Sequence, residues 1–113
     1  MTNRIYSFIG LAAKARALVS GDDTCELNIK KGKAKLVIIA GDASPNTKKK
    51  FQEMCEYRHI DNRIYGEKEF IGKHIGKDLR SVIAITEKNF AGRLKELIDE
   101  SNLEFGGEQI GKI

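Results

Sequence analysis

The chain has few of the residues that build disulfide-rich or membrane-embedded proteins. Its 113 residues include no Trp, one Pro and two Cys. Two cysteines are too few for the disulfide framework of a small secreted domain. The most continuous apolar strand candidate, residues 36–40, is far too short to span a bilayer. Arg4 and Lys14 interrupt the N-terminal apolar residues, so no signal peptide is predicted. We therefore expect a cytoplasmic protein with reduced thiols.

Groups that perform catalysis or bind metals are also scarce. No Ser-His-Asp order, catalytic carboxylate pair or nucleophile elbow is present. The segment 72–77 superficially resembles a phosphate loop, but Asp78 stands where a Walker A motif requires Ser or Thr. The sequence therefore predicts no enzyme, no metal and no cofactor. A metal site would need four side chains that are scattered along the sequence to converge, namely Cys25, Cys55, His59 and His74. We interpret the two cysteines instead as core residues and the two histidines as isolated side chains.

Charge is abundant and unevenly distributed. The net charge is +4 and the pI is near 9.1. Residues 1–95 carry 19 Lys and Arg against 11 Asp and Glu, whereas residues 96–113 carry one against five. A basic body favours a polyanionic partner such as nucleic acid. The apolar content of 41% suffices for one core. We predict a single domain over residues 1–99 and a flexible, acidic and Gly-rich tail over 100–113.

Hydrophobic periodicity predicts alternating helices and strands. Residues 36–40 and 82–85 are apolar throughout, which is typical of strands covered on both faces, and we predict these strands over residues 35–40 and 82–85. We therefore expect an α/β protein, a three-layer α/β/α sandwich with a small mixed four-stranded sheet. Helices are predicted over residues 4–16, 67–75 and 90–98. Two more are predicted, one that begins within residues 21–24 and ends at Gly32, and one that begins at Ser44 and extends past Cys55. The remaining strands are predicted over residues 18–20 and 63–65.

Two segments are candidates for binding an anionic ligand. Gly21 at the start of the second helix leaves backbone N–H groups accessible, although it also suits a tight strand-to-helix turn. For Asp22 and Asp23, a purely structural role is as good an explanation as a role in binding, because acidic residues are favourable in the first turn of a helix. In the segment 72–80, two glycines free the backbone, three cations supply charge, and Leu79 can pack on an exposed base. An ordinary solvated loop is the alternative for this second segment.

An ordered set of short motifs then resembles a known family. It consists of Gly10-Leu11-Ala12, Val19-Ser20-Gly21, residues 32–44, Asn46–Lys50, Gly72–Lys77, Arg80, Val82–Thr86 and Phe90-Ala91. Together they resemble the YlxQ-like bacterial branch of the L-seven-Ae/L-thirty-e ribosomal-protein superfamily over about residues 5–98. The resemblance implies an α/β/α sandwich without catalytic activity. It also implies binding to RNA, typically to kink-turns, through the start of the second helix and the loop before the last strand.

The chain departs from the kink-turn pattern of that superfamily at three positions. Asp23, Thr24 and Leu27 stand where these RNA binders usually have Asn, Glu and Lys. Two hypotheses therefore remain: a ribosomal or translation-associated protein that binds structured RNA, or a protein-interaction module that has lost kink-turn recognition. We expect a monomer, with ribosomal or translation proteins as further partners. The candidate RNA-binding residues are Gly21, Asp22, Asp23, Thr24, Leu27, Asn28, Lys33, Lys35, Lys73, Lys77, Leu79 and Arg80.

Overall fold

Within residues 3–112, five helices alternate with four strands. The computed structural model describes the backbone of residues 3–112 and the side chains of residues 3–103. The elements are α1 (Arg4–Lys14), β1 (Leu18–Ser20), α2 (Asp22–Lys30), β2 (Leu36–Ile39), α3 (Pro45–Tyr57), β3 (Asp61–Ile64), α4 (Lys68–His74), β4 (Val82–Ile85) and α5 (Lys88–Lys112). Among the described residues, no helix has both the length and the apolar character that a bilayer span requires.

The strands form one mixed sheet in the order β1-β4-β2-β3. β2 pairs in parallel with β3, whereas β4 is antiparallel to both β1 and β2. Every residue of the two central strands is buried, so helices must cover both faces of the sheet. α2 packs on α3, and α1 packs on α4 and α5. The predicted three-layer α/β sandwich with a mixed four-stranded sheet is confirmed.

The sheet has two ends that carry different connections. β1, β2 and β3 run in one direction and β4 runs in the other. We call the end where β1–β3 finish and β4 starts the Gly21 end, because Gly21 follows β1 there. We call the other end, where β1–β3 start and β4 finishes, the Lys35 end. This distinction decides which charged residues lie together.

The core lies between the sheet and the helices on each face. Cys25 and Cys55 are buried and free, as predicted. Burial raises the pKa of the Cys25 thiol to about 12 and that of Cys55 to about 11. Both side chains therefore act as small apolar groups. The largest fully buried side chains come from every layer and include Phe51, Ile9, Ile29, Leu94 and Ile98.

Local chemistry sets where the helices begin and end. The Ser44 hydroxyl accepts a hydrogen bond from the Thr47 N–H, and Pro45 occupies the first turn, as expected for α3. α1 ends at Lys14 rather than at residue 16, because Arg16 adopts a left-handed φ of 59° that no helix continues. The third strand covers residues 61–64 rather than 63–65, because β2 pairs with Asp61 onward.

α5 continues beyond the predicted domain boundary. Its backbone is helical from Lys88 to Lys112, whereas the sequence interpretation had the helix end at residue 98. That interpretation gave weight to the glycines of the tail, but no proline interrupts residues 99–112 and the first tail glycine is Gly106. The flexibility of residues 100–113 stays a prediction: Ile113 and the side chains from residue 104 onward lie outside the described residues.

Candidate nucleic-acid interface

The start of α2 is open to an approaching ligand. Gly21 adopts φ 95°, and among the side chains of residues 3–103 none caps α2 by a hydrogen bond. A Cβ built on Gly21 would meet nothing within 4 Å. The first N–H groups of a helix have no partner within it, so those of the first turn face open space at the positive end of the helix dipole. Asp22, Asp23 and Thr24 are exposed around them.

Pairing of β1 with β4 brings Arg80 to this helix start. The Gly21 N–H donates to the Val82 carbonyl at 3.1 Å. The Arg80 Nε donates to the Ser20 hydroxyl at 3.1 Å, and its Nη1 donates to the Leu79 carbonyl at 3.0 Å. A guanidinium has five N–H donors, so its remaining donors can reach a ligand. The two candidate segments therefore meet at Arg80.

The rest of the segment 72–80 folds back against α4. The Lys77 N–H donates to the Gly72 carbonyl at 2.8 Å, and the Arg80 N–H donates to the Lys68 carbonyl at 3.2 Å. A Cβ on Gly72 would overlap the carbonyl oxygen of Asp78. Gly72 therefore permits close backbone packing, a structural role, and does not face a ligand. The segment borders an open cleft of about 660 Å³ lined by Glu69, Lys73, Lys77, Asp78 and Leu79.

Two leucines stand exposed near these segments. Leu27 is 50% exposed on α2, and Leu79 is 60% exposed one residue before Arg80. Leu27 thus presents an apolar side chain to solvent where the family resemblance implies a cation. Asn28 donates its amide N–H to the Thr24 carbonyl at 2.9 Å, so this side chain is partly engaged within α2. We call Gly21–Thr24 together with Leu27, Leu79 and Arg80 the Gly21–Arg80 surface.

Lys33 and Lys35 lie away from the Gly21–Arg80 surface. The Lys33 N–H donates to the Asn28 carbonyl, and the Lys35 N–H donates to the Ile85 carbonyl at the Lys35 end of the sheet. Both lysines follow the C-terminus of α2, whose nine residues rise roughly 13 Å from the Gly21 end. The structure therefore divides the predicted site residues between two ends of the molecule.

The charge at the Gly21–Arg80 surface is mixed. Asp22 and Asp23 lie beside the uncapped N–H groups, opposing the positive contribution of Arg80. One turn further along α2, Glu26 forms ion pairs with Lys50 at 2.8 Å and Lys30 at 2.9 Å. Hydrogen bonds from these two ammonium groups lower the pKa of Glu26 to about 2. Lys50 therefore has a structural partner on α2.

Sequence reasoning missed the role of Ser20. It placed Ser20 in a short strand and in the motif Val19-Ser20-Gly21 without giving it a role, whereas its hydroxyl accepts the hydrogen bond that orients Arg80. The only available signal was a hydroxyl residue directly before Gly21. The four Cys and His side chains considered for a metal do not converge: within the described part of the chain, no group of three or more Cys, His, Asp or Glu is arranged to hold an ion.

The comparison with known proteins agrees with this architecture. Residues 3–95 match the ribosomal protein L7Ae/L30e/S12e/Gadd45 family. The RNA-binding protein YlxQ of Bacillus subtilis is 38% identical over 94 residues, which cover 83% of this chain and 94% of that protein. The RNA-binding protein YlxQ of Enterococcus faecium is 39% identical over 97 residues, covering 85% of this chain and 92% of that protein.

Two solved structures share the fold. A protein of unknown function from Bacillus halodurans superposes with a TM-score of 0.84 at 35% identity, covering 87% of this chain and 99% of the other. The Giardia lamblia 15.5kD RNA binding protein has a TM-score of 0.72 at 21% identity, covering 88% of this chain and 89% of the other. With its matched sheet, helices and sequence, the chain belongs to the ribosomal protein L7Ae/L30e/S12e/Gadd45 family and is a YlxQ-like member of it.

Proposed function

We propose that this protein binds structured RNA through the Gly21–Arg80 surface, without catalysing a reaction. It acts as a ribosomal or translation-associated protein in the cytoplasm and binds as a monomer. The names of its YlxQ relatives support RNA as the ligand. The single observation that supports this location is Arg80, whose guanidinium hydrogen-bonds Ser20 beside the uncapped start of α2.

The chemistry of this surface suits an irregular RNA. The free N–H groups of α2 and the remaining donors of Arg80 can bind phosphate or base-edge oxygens. Leu79 offers an exposed apolar face beside them, onto which an unstacked base can pack. Unstacked bases occur at bulges and internal loops, so the favoured ligand is an RNA duplex interrupted by an internal loop of the kink-turn type.

Four side chains weaken the expected affinity for a kink-turn. Asp23 and Thr24 offer no amide or glutamate side chain at the helix start, and Leu27 places an apolar group where the family resemblance implies a cation. Asp22 and Asp23 also repel phosphate. A protein-interaction module is the second candidate function, favoured by the 50% exposure of Leu27. An exposed leucine on a helix is a suitable anchor for a protein partner.

The test is a titration of labelled RNA with the full chain, followed by fluorescence anisotropy. One probe is a duplex with a kink-turn internal loop, and the other is a fully paired duplex of equal length. Arg80→Gln should weaken binding to the looped duplex by about 1–3 kcal/mol, the scale of a charge-assisted contact. The matched control, Lys49→Gln, removes one exposed charge on α3 and should change little. Equal binding by wild type and Arg80→Gln would contradict the proposed surface.

Leu27→Lys separates the two candidate functions. It restores a cation on α2 and should strengthen binding to the looped duplex by about 1–3 kcal/mol. Leu11→Lys makes the same charge change at another exposed leucine, on α1, and controls for nonspecific attraction. A gain confined to Leu27→Lys supports RNA recognition along α2. Absence of RNA binding by both wild type and Leu27→Lys favours the protein-interaction module.

A further inference from the structure

The Lys35 end of the sheet is far more basic than the Gly21 end. Its four connections are residues 15–17, 31–35, 58–60 and 86–87. Their charged residues are the cations Arg16, Lys31, Lys33, Lys35 and Arg58 and the single acid Glu87. The connections at the Gly21 end contain the cations Lys77 and Arg80 and the acids Asp42, Glu67 and Asp78. The fold therefore concentrates positive charge at the end opposite the Gly21–Arg80 surface.

Helix ends explain part of this charge but not all of it. Cations are favourable at helix C-termini, and α1, α2 and α3 all end at the Lys35 end. Arg58 accordingly donates to the carbonyl of Lys30 at 3.4 Å. Lys33 and Lys35 lie beyond the last turn of α2, and Lys88 occupies the first turn of α5, where a cation is unfavourable. Among the side chains of residues 3–103, none of these three forms an ion pair.

Two adjoining clefts connect Lys35 and Lys88 into a groove, whereas Lys33 lines neither cleft. The first has a volume of about 480 Å³ and extends from Gly32 past Arg58 to Asp61, and the second has a volume of about 210 Å³ and extends from Asp61 to Lys88. Lys35 and Asp61 line both clefts, so the two are continuous. Lys95 neutralises Asp61 through an ion pair at 3.0 Å. Gly32 and Gly92 are exposed and have no side chain that would obstruct a bulky ligand. We call this feature the Lys35 groove.

We propose that the Lys35 groove is a second RNA-binding surface that holds the sugar–phosphate backbone. This inference rests on the proposed function, because it assumes that the protein binds RNA. An acidic protein is disfavoured as the occupant, since protein interfaces need large apolar or aromatic anchors. Within the described side chains, none of the exposed large hydrophobic residues lines the groove. Lysines that form no ion pair among residues 3–103, in a groove without an apolar anchor, match a repeating phosphate backbone, which is bound without regard to sequence.

Charge removal in the groove tests the proposal with the two RNA duplexes described above. Lys35→Gln/Lys88→Gln removes two exposed cations without altering a buried group. The variant should bind both duplexes at least about 10-fold more weakly at low salt, and its slope of log affinity against log salt should fall by about 1–2. Lys35→Arg/Lys88→Arg keeps both charges and should retain wild-type binding. Lys48→Gln/Lys49→Gln removes the same net charge from α3 and should leave the affinity nearly unchanged.

The outcomes separate this proposal from the proposed function. An equal loss on both duplexes in the groove variant supports the second surface, even if Arg80→Gln binds normally and the first surface is refuted. Unchanged binding by the groove variant, together with weakened binding by Arg80→Gln, overturns the second surface alone. Equal losses in the groove variant and in the α3 control also overturn it, because net charge then explains the effect. Absence of RNA binding by the wild-type chain overturns both proposals.

Discussion

Gly72→Ala is the substitution whose effect follows most directly from the structure. Gly72 is buried in α4, and an added Cβ would overlap the Asp78 carbonyl oxygen and lie 2.6 Å from its carbon. The Lys77 carbonyl oxygen would be 3.1 Å away. All these atoms belong to the backbone, so no side-chain rotation relieves the contact. Either α4 or residues 77–78 must move.

The expected cost combines three effects. Overpacking of a buried site costs about 1–3 kcal/mol. Loss of the 2.8 Å hydrogen bond from the Lys77 N–H to the Gly72 carbonyl costs about 0.5–1.5 kcal/mol. Alanine returns about 1 kcal/mol through its higher helix propensity. The net expectation is a destabilisation of about 0.5–3.5 kcal/mol. Because Asp78 precedes Arg80 by two residues, the same shift should displace the guanidinium from Ser20 and weaken binding to the looped RNA duplex.

Urea unfolding monitored by circular dichroism measures the change in stability. Gly92→Ala is the matched control: Gly92 also lies in a helix, but an added Cβ there meets nothing within 4 Å. That control should raise the free energy of unfolding by about 0.5–1 kcal/mol. The two glycine substitutions thus have opposite predicted signs. If Gly72→Ala proved as stable as wild type or more so, the packing of residues 77–78 against α4 would be refuted.

Two further predictions concern ionisable groups. The pKa of Glu26, lowered to about 2 by hydrogen bonds from Lys50 and Lys30, should rise toward its ordinary value in Lys50→Gln, as measured by NMR titration. Because the folded-state pKa is depressed, the stabilisation is complete above the unfolded value near 4.5 and is lost as the pH falls toward 2. Urea unfolding between pH 5 and 2 should therefore depend less on pH in Glu26→Gln, and an unchanged pH dependence would contradict the assignment. Burial that raises the thiol pKa of Cys25 to about 12 and of Cys55 to about 11 should prevent both from reacting with a disulfide reagent at pH 8 in the folded protein. Both should react in urea, and rapid labelling of the native chain would count against their burial.

The elements that the sequence predicted well are those determined by local pattern. The uniformly apolar residues of β2 and β4 indicate strands covered on both faces, and the Ser44-Pro45 pair marks the start of α3. Gly21 was likewise expected at the start of α2, because a short strand precedes it and a helical pattern follows. Each of these features depends on residues within one turn or one strand of each other.

Features that depend on strand pairing were less accessible. Ser20 and Arg80 are 60 residues apart, and they meet only because β1 lies next to β4 in the sheet. Strand direction decides at which end of the sheet Lys35 lies, and hydrophobic periodicity does not encode strand direction. The sequence placed Lys33 and Lys35 among one set of RNA-binding candidates, whereas the fold places them beyond the far end of α2.

Positive charge and accessible N–H groups are therefore located at different ends of this sandwich. At the Gly21 end, the open start of α2 and Arg80 suit geometric recognition, but Asp22 and Asp23 reduce long-range attraction. At the Lys35 end, Lys33, Lys35 and Lys88 form no ion pair among residues 3–103 and suit attraction, and the described side chains include no buried polar group there to select one RNA shape over another. If both surfaces bind the same RNA, charge at the Lys35 end supplies sequence-independent affinity, and the helix start supplies selectivity. Removing charge from the Lys35 groove should then change the salt dependence of binding. Removing Arg80 from the Gly21–Arg80 surface should change the preference for the looped duplex.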